Sequence, residues 1–203
     1  MYRNKKIFCI ILARKNSVGI KNKNLQKIKG KPLIWYPIKA ASKSKYIDKI
    51  IFNTDSLKMA NYAKNIGAKI DFLRPKHLAK SSSHSSDAII HHIKKMNLEE
   101  SYDYFILLEP TSPLTSTNDI DASIKKLINN KKASSLLAVT DHSIPNKNYK
   151  VNFKKNFLNI KKNIFKERRQ DYKNVYYITG ALYLSKVQEY LKYKTFFQKN
   201  VLT

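Results

Sequence analysis

The apolar positions of this chain fall into short continuous runs separated by stretches with helical spacing. The runs rich in Ile, Leu, Phe and Val predict β-strands at residues 6–12, 48–54, 68–72, 103–109, 134–140 and 176–185. The intervening pattern predicts α-helices at residues 33–45, 56–66, 86–98 and 118–130. Nearly continuous apolar strands that alternate with helices are typical of a buried, mostly parallel sheet. We therefore predict an α/β fold with helices on both faces of the sheet.

Residues that favour helix ends support three of these helices. Pro32 precedes the first helix, Asp55-Ser56 precedes the second with Gly67 just after it, and Thr117-Asn118 precedes the fourth. Pro37 lies inside the first helical pattern and should kink or shorten that helix, because proline lacks an N–H and its ring obstructs the preceding turn.

The pattern changes between residues 141 and 174. Lysine and asparagine are interleaved there with single apolar residues, among them Tyr149, Val151, Phe153 and Phe157. This alternation predicts an irregular β-hairpin arm that projects from the core. Because no linker or internal repeat is evident, we interpret residues 1–203 as one domain with the arm inserted at 141–174.

Polar residues cluster where three predicted parallel strands end. The first strand leads into the loop Arg14–Asn24, the second into Thr54-Asp55, and the fourth into Glu109–Pro113. In open parallel sheets, ligands bind beyond the carboxyl ends of the strands. The loop Arg14–Asn24 is basic, rich in amides and free of acids, so it predicts an anion site. The glycine-rich dinucleotide and P-loop motifs are both absent, so side chains would have to contribute to that site.

The net charge of +26 suggests nucleic acid as one partner. Only five of the 40 basic residues are arginine, however, and arginine is the residue that bidentate recognition of phosphates and bases favours. Lysine, isoleucine and asparagine have A/U-rich codons, so base composition explains much of the excess. A solvated lysine-rich surface is therefore the simpler interpretation, with nucleic-acid binding as the alternative, which a steep salt dependence in filter binding would support.

The remaining composition indicates a cytoplasmic protein without membrane segments. No run approaches the ~18 consecutive apolar residues of a spanning helix, and the N-terminus lacks a signal-peptide pattern. The one cysteine, Cys9, lies in the first strand and predicts a small buried side chain. A disulfide within the chain is impossible, which favours a reducing compartment.

Two polar clusters have ordinary explanations. The serine run Ser81–Asp87 precedes a helix, so capping and loop flexibility account for it better than a nucleophile does. His91 and His92 are adjacent and should face different sides of that helix, which makes a metal site improbable. The segment Glu167–Gln170 holds two of the five arginines, where a surface ion pair is about as plausible as a ligand site.

Taken in order, the motifs resemble those of the CMP-sialic acid synthetases, or acylneuraminate cytidylyltransferases. The family's A-R-x-x-S-K-G-(I/L)-x-x-K-N loop corresponds to Ala13–Asn24, and its L-Q-P-T-S-P-L-R signature to Leu108–Thr115. Five shorter elements also match, namely G-K-P-L-I at Gly30–Ile34, S-T-D at Asn53–Asp55, R-P-x-x-L-A at Arg74–Ala79, R-Q at Arg169-Gln170 and N-G-A at Thr179–Ala181. The match covers nearly the whole chain, and the combination is specific although each element alone is not.

This resemblance implies a Rossmann-like nucleotidyltransferase fold and a homodimer formed through the arm. It implies transfer of CMP from CTP to the anomeric hydroxyl of a nonulosonic acid, with release of pyrophosphate. The implied catalytic residues are Arg14 and Lys23. The implied nucleotide-binding residues are Ala13, Arg14, Asn16, Ser17, Asn24, Arg74, Ser81 and Glu109. The implied sugar-binding residues are Lys147, Arg169, Gln170, Thr179 and Gly180.

The sequence departs from the family pattern at several positions. Glu109 replaces a glutamine and Thr179 an asparagine, while Val18 replaces a lysine and Thr115 an arginine. Ser81 stands where an aspartate is common. The family's C-terminal S-x-D-I-D-T segment, whose aspartates hold Mg²⁺, does not occur, so we expect a truncated chain that needs Mg²⁺ but lacks its ligands. A CMP-KDO-type cytidylyltransferase and an inactive homologue are the alternatives.

Overall fold

The computed structural model describes residues 1–17, 19–141, 152–154, 157–159 and 176–203. These residues divide into two compact units, a first unit of Met1–Ala138 with Gly180–Thr203 and a second unit of Val139–Thr179. The strands are β1 (Ile7–Leu12), β2 (Lys27–Ile28), β3 (Lys31–Pro32), β4 (Lys49–Asn53), β5 (Tyr104–Leu108), β6 (Ser135–Asp141), β7 (Asn152–Lys154), β8 (Phe157–Asn159), β9 (Tyr176–Lys186) and β10 (Val201–Leu202). The helices are α1 (Trp35–Ser42), α2 (Leu57–Asn65), α3 (Ser85–Lys95), α4 (Leu98–Ser101), α5 (Thr117–Asn129) and α6 (Val187–Tyr193), with 3₁₀ turns at Lys23–Leu25 and Lys76–Leu78.

The main sheet has six strands in the order β10-β6-β9-β5-β1-β4. Strand β1 lies near its centre and pairs in parallel with both β4 and β5, and β10 pairs in parallel with β6. The sheet is therefore mostly parallel, as the apolar runs predicted. Strand β9 is the exception, because it pairs antiparallel with β5.

Alternate residues of β1 enter two separate cores on the two faces of the sheet. Ile7, Cys9 and Ile11 pack with apolar residues of α1, α2 and α5. Phe8 and Ile10 pack with residues of α3, α4 and α6 on the other face. The predicted arrangement of helices on both faces is confirmed, and so is the buried position of Cys9, which is fully inaccessible to solvent.

The predicted strand at residues 68–72 is wrong. Only Lys69 bridges to β4, at Ile51, and the chain then turns away from the sheet. The cause is Asp71, whose side chain is 2% exposed and forms an ion pair with His92 of α3 instead of continuing an apolar strand. Phe72 stacks on the His92 ring at 4.7 Å between ring centres, which fixes this turn further.

Two helix predictions differ in their ends. Helix α1 begins at Trp35, so Pro37 lies in its first turn, where no intrahelical donor is required, and the helix is shorter than the predicted 33–45. Ser56 caps α2 by accepting a hydrogen bond from the Met59 N–H, as predicted. Helix α6 was missed, because its apolar pattern follows directly from the long β9 run.

In the second unit, β7 and β8 pair antiparallel with Phe153 opposite Leu158, which forms part of the predicted hairpin. Tyr149 and Val151, which the sequence also assigned to the arm, lie outside the described residues. Within the described ranges, every helix is too short or too polar to cross a lipid bilayer.

Candidate active site

The loops after β1, β4 and β5 meet at the carboxyl edge of the sheet, where the sequence placed the anion site. The Ala13 N–H donates to the Asn53 carbonyl at 3.1 Å, and the Lys15 N–H donates to the Asp55 carboxylate at 2.7 Å. These two bonds join the first loop to the end of β4. Ala13 is itself a core residue with 1% exposure, so its role here is to hold the loop in place.

A cavity of about 500 Å³ opens beside these loops, within the usual ~300–1,000 Å³ range of ligand pockets. It brings together most of the nucleotide-binding residues that the resemblance implied. Its lining includes Arg14, Ser17, Lys23, Asn24, Arg74, Ser81 and Glu109. Asn16 is exposed and lies outside this lining.

Arg14 spans the cavity wall. Its Nη1 donates to the Lys80 carbonyl at 3.0 Å, which links the first loop to the segment that leads into α3. The buried Asn24 Nδ2 donates to the Arg14 carbonyl at 3.2 Å and so fixes the return of the loop. Arg14 is therefore held by the fold at both its backbone and its guanidinium.

Arg74 lines the same cavity from the segment between α2 and α3. Its guanidinium is buried, and its Nη2 donates to the Asn53 carbonyl at 2.8 Å. Burial lowers the pKa of Arg74 to about 10, a shift that Asp55 opposes and Arg14 increases. The side chain therefore stays cationic at neutral pH and contributes a fixed, poorly solvated positive charge.

Glu109 is the acid that closes β5 and also lines the cavity. Its pKa is raised mainly by burial, while Lys23 and Arg74 act in the opposite direction. The cavity thus combines four cations, Arg14, Lys23, Arg74 and Lys80, with this half-buried carboxylate. Such a set favours a polyanionic ligand over a neutral one.

Sequence reasoning missed the amino end of α3 as part of this site. His84, Ser85, Ser83 and Lys80 line the cavity, and so does Thr111 from the turn after β5. His84 is the N-cap and makes no capping hydrogen bond through its side chain, so the predicted capping by a serine is wrong. A helix N-terminus attracts anions through its free N–H groups. The signal in the sequence was the serine run immediately before an amphipathic helix.

A second cavity of about 280 Å³ adjoins the first and shares Glu109, His84 and Ser85 with it. Its other walls are largely aromatic. They include Tyr183, Tyr190, Phe196 and Phe197, with Lys194 and Thr195 beside them. Sequence reasoning also missed this cavity, because its aromatic residues lie on β9 and beyond, far from the loops that drew attention.

The residues expected to bind the sugar are described only in part. Gly180 adopts a positive φ of 73°, a conformation that a side chain would strain, and this explains a glycine at the position. Thr179 is exposed on β9 and belongs to the second unit. Lys147, Arg169 and Gln170 lie outside the described residues.

The carboxylates of the described residues do not by themselves form a magnesium site. No group of three or more His, Cys, Asp or Glu side chains is placed to hold a metal ion in the described part of the chain. Glu109 lines the cavity, but burial favours its neutral form. Asp55 lines a different cavity on the far side of Asn24 and accepts the Lys15 N–H. Mg²⁺ prefers ionised oxygen ligands, which this arrangement does not collect in one place.

Comparison with solved structures identifies proteins of the same fold. The chain is similar to a CMP:2-keto-3-deoxy-manno-octonic acid synthetase complexed with CTP, with a TM-score of 0.65 at 14% identity over 92% of this chain and 76% of that one. It is also similar to a 4-diphosphocytidyl-2C-methyl-D-erythritol synthase from Anaerococcus prevotii, with a TM-score of 0.60 at 15% identity over 94% of this chain and 74% of that one. At these identities the likeness shows the fold alone, and it confirms the Rossmann-like nucleotidyltransferase architecture.

Sequence comparison is more specific. The chain is 30% identical over 92% of its length to the pseudaminic acid cytidylyltransferase of Campylobacter jejuni, of which it covers 81%. It is 32% identical over 95% of its length to the N-acylneuraminate cytidylyltransferase of Escherichia coli, of which it covers 45%. It is 30% identical over 94% of its length to a Helicobacter pylori protein described as a pseudaminic acid cytidylyltransferase and hydrolase, of which it covers 37%.

The chain thus spans less than half of the last two relatives and most of the first. Residues 8–201 match the family described as Cytidylyltransferase, a range that contains every described residue lining both cavities. The chain therefore belongs to the cytidylyltransferase family, in the CMP-sialic acid synthetase-type group that its motifs indicate.

Proposed function

We propose that this protein transfers CMP from CTP to the anomeric hydroxyl of a nonulosonic acid and releases pyrophosphate. The observation that carries the proposal is the cationic cavity at the carboxyl edge of the sheet, adjoined by a smaller aromatic cavity across Glu109. A triphosphate and a sugar acid need two such sites in contact. The relatives named for N-acylneuraminate, pseudaminic acid and diacetyllegionaminic acid support this acceptor class.

The first cavity suits the triphosphate. Arg14, Lys23 and Arg74 offer N–H donors and positive charge, and the amino end of α3 adds backbone donors. In the reaction, the acceptor hydroxyl oxygen forms a bond to the α-phosphorus while the bond from that phosphorus to the bridging oxygen breaks. Pyrophosphate leaves with the bridging oxygen, and the hydroxyl proton passes to solvent. Such a step depends mainly on in-line positioning and charge neutralisation, which fixed cations supply.

The second cavity suits the acceptor. Tyr183 and Phe197 offer apolar faces for the carbon skeleton and its substituents, while Lys194 offers a cation for the carboxylate of the acid. Glu109 lies between the two cavities, where it can contact either substrate. Lys147, Arg169 and Gln170 stay predictions as further sugar contacts from the arm.

Three further features of the proposal rest on the sequence. The family resemblance implies Mg²⁺, and since the described carboxylates do not form its site, the metal stays a prediction. The alternating apolar residues of the arm support a homodimer. The single buried cysteine supports a cytoplasmic location, and the scarcity of arginine supports the prediction that nucleic acid is not a partner.

The acceptor class is tested by pyrophosphate release from CTP with a panel of acids. We expect turnover with at least one of N-acetylneuraminic, pseudaminic and legionaminic acid, and much slower turnover with 3-deoxy-octulosonate. Preference for the octulosonate would instead favour the alternative, a CMP-KDO-type cytidylyltransferase.

A further inference from the structure

Arg74 is attached to the end of β4 through one edge of its guanidinium. Its Nε donates to the Asn53 side-chain Oδ1 at 2.5 Å, and its Nη2 donates to the Asn53 carbonyl at 2.8 Å. In the described part of the chain, these are the hydrogen bonds of the guanidinium, so the Nη1 end is available where Arg74 lines the cavity. The direction of that end depends on the orientation of the Asn53 amide.

The Asn53 amide is in turn oriented by His92. Because arginine only donates hydrogen bonds, the atom of Asn53 that faces Arg74 Nε must be the oxygen. The amide nitrogen, Nδ2, then faces His92 Nδ1 at 2.8 Å and donates to it. His92 Nδ1 must therefore be unprotonated, and the ring hydrogen of the neutral imidazole must lie on Nε2.

Asp71 completes the chain of hydrogen bonds. The His92 Nε2–H points at the Asp71 carboxylate, 3.1 Å away, and an acceptor at that position selects the required tautomer. His92 is fully buried, and Phe72 stacks on its ring. These hydrogen bonds form a continuous relay from Asp71 through His92 and Asn53 to Arg74, with little exposure to solvent.

We propose that Asp71, His92 and Asn53 are positioning residues that fix the guanidinium of Arg74 for the triphosphate of CTP. This inference rests on the proposed function, since it assigns Arg74 to the nucleotide. It goes beyond that function by making the direction of the Arg74 donors depend on a histidine that does not line the cavity. A guanidinium held in advance loses less freedom when the ligand binds, so the relay raises affinity for the nucleotide.

The relay requires a neutral His92. If His92 Nδ1 carried a proton, it would face the Asn53 Nδ2 donor. Rotating the Asn53 amide would bring its oxygen to His92, but it would then turn Nδ2 toward the Arg74 Nε donor. Burial lowers the pKa of His92, as do the charges of Lys49 and His91, while Asp71 acts in the opposite direction. Lys49 and Lys69 also form ion pairs with the Asp71 carboxylate, at 3.3 Å and 3.9 Å.

A double-mutant cycle on CTP affinity tests the relay by calorimetry. His92→Phe keeps the ring and its stacking but removes both nitrogens, and it should weaken CTP binding about tenfold, the scale of one charge-assisted hydrogen bond. In an Arg74→Met background the same change should have no further effect, because the residue that the relay orients is gone. Additive losses in the double variant would overturn the proposal, since His92 would then act independently of Arg74.

Two matched variants separate orientation from packing. His92→Asn should restore most of the affinity, because the asparagine oxygen takes the place of Nδ1 as acceptor for Asn53. His77→Phe, at an exposed histidine outside the relay and outside both cavities, should leave CTP affinity unchanged. A His92→Asn variant as weak as His92→Phe would contradict the proposal.

If His92→Phe does not fold, the unmodified protein still tests the relay. Nitrogen-15 NMR of the imidazole rings should show His92 as the neutral Nε2–H tautomer at neutral pH. The Nδ1–H tautomer, or a charged ring, would overturn the proposal. An unmodified protein that binds no CTP would instead refute the proposed function, and the role of the relay with it.

Discussion

Arg14 and Arg74 reach the same cavity but are held in different ways. Arg14 is half-buried and bonds to the Lys80 carbonyl across the wall, whereas Arg74 is buried and bonds to both oxygens of Asn53. A guanidinium that is fixed before the ligand arrives stabilises a developing negative charge more than a mobile cation does. The proposed triphosphate site depends most on these two side chains.

Replacing Arg14 should impair catalysis more than replacing any exposed arginine. Arg14→Ala removes a charge-assisted phosphate contact and should lower kcat/KM for CTP about 10²-fold, which corresponds to ~3 kcal/mol. Arg14→Lys should be nearly as harmful, because lysine does not reproduce the fork that bonds both Lys80 and phosphate. Steady-state kinetics checks this, with Arg3→Ala at the exposed N-terminus as the control. Full activity of Arg14→Ala would contradict the assignment.

Glu109→Gln should stabilise the protein at neutral pH. Since burial raises the pKa of Glu109, the folded state holds its proton to a higher pH than the unfolded chain does. Stability is therefore lost as pH rises from the ordinary value of 4.5 through the raised folded value, and glutamine avoids that loss. We expect a gain of about 1 kcal/mol at pH 7, on the usual scale of single substitutions, that disappears below pH 4.

Urea unfolding at pH 7 and below pH 4 measures this difference in stability between the Glu109→Gln variant and the unmodified protein. The same change should tighten CTP binding several-fold at pH 7, because it removes a carboxylate from beside a triphosphate. Turnover should persist, since the family's motif has an amide at this position. Equal stability of the two proteins at every pH would show that Glu109 carries no raised pKa.

Residue types alone predicted part of the site. The basic, acid-free loop after the first strand pointed to Arg14, and the acid that closes an apolar strand pointed to Glu109, whereas Arg74 was named only through the family resemblance. His84 and Ser85 were missed, since the serine run before the helix was interpreted as capping, while a helix N-terminus binds anions through its backbone N–H groups. The Asp71–His92 pair was also missed, because its members are 21 residues apart and meet only through folding.

At the scale of elements, helix caps hold the loops that carry the site. Ser116 and Asp119 form a reciprocal capping box at the start of α5, just after the turn that contains Glu109 and Thr111. Ser116 Oγ accepts from the Asp119 N–H at 3.2 Å, and the Asp119 carboxylate accepts from the Ser116 N–H at 2.8 Å. The cap fixes where this turn ends and the helix begins.

Ser116→Ala should lower the free energy of unfolding by ~1 kcal/mol, the usual contribution of an N-cap. Affinity for CTP should change little, because Ser116 lies outside the cavity lining. Chemical denaturation measures the first quantity, and calorimetry the second. Ser116→Thr retains an acceptor and serves as the control. Loss of CTP binding in a folded Ser116→Ala variant would show that the turn after β5 depends on its cap.

Element type was more predictable than element direction. Apolar runs located β1, β4, β5, β6 and β9 to within one or two residues, because burial on both faces requires such runs. The same runs do not encode direction, so they did not indicate which strand of the mostly parallel sheet is antiparallel, and that strand is β9. The wrong strand at 68–72 contained Asp71, whose buried partner in α3 no local pattern reveals.

At the scale of the whole molecule, the first unit contains both cavities, while residues 139–179 form a second unit. We expect the protein to be a homodimer through its arm, since alternating apolar residues there need a surface to cover them. Sedimentation at micromolar concentration should give about twice the mass of the 23.6 kDa chain. Phe153→Asp should shift the protein toward monomer, and a monomeric unmodified protein would refute the expectation.

The proposed function requires that the cationic cavity binds CTP and that the protein transfers CMP from it. Phosphorus-31 NMR of a reaction with CTP and a nonulosonic acid follows both products at once. We expect equimolar pyrophosphate and CMP-sugar, with turnover at least tenfold faster for CTP than for ATP or GTP. Equal use of ATP, or pyrophosphate released without a CMP-sugar, would contradict the proposed function.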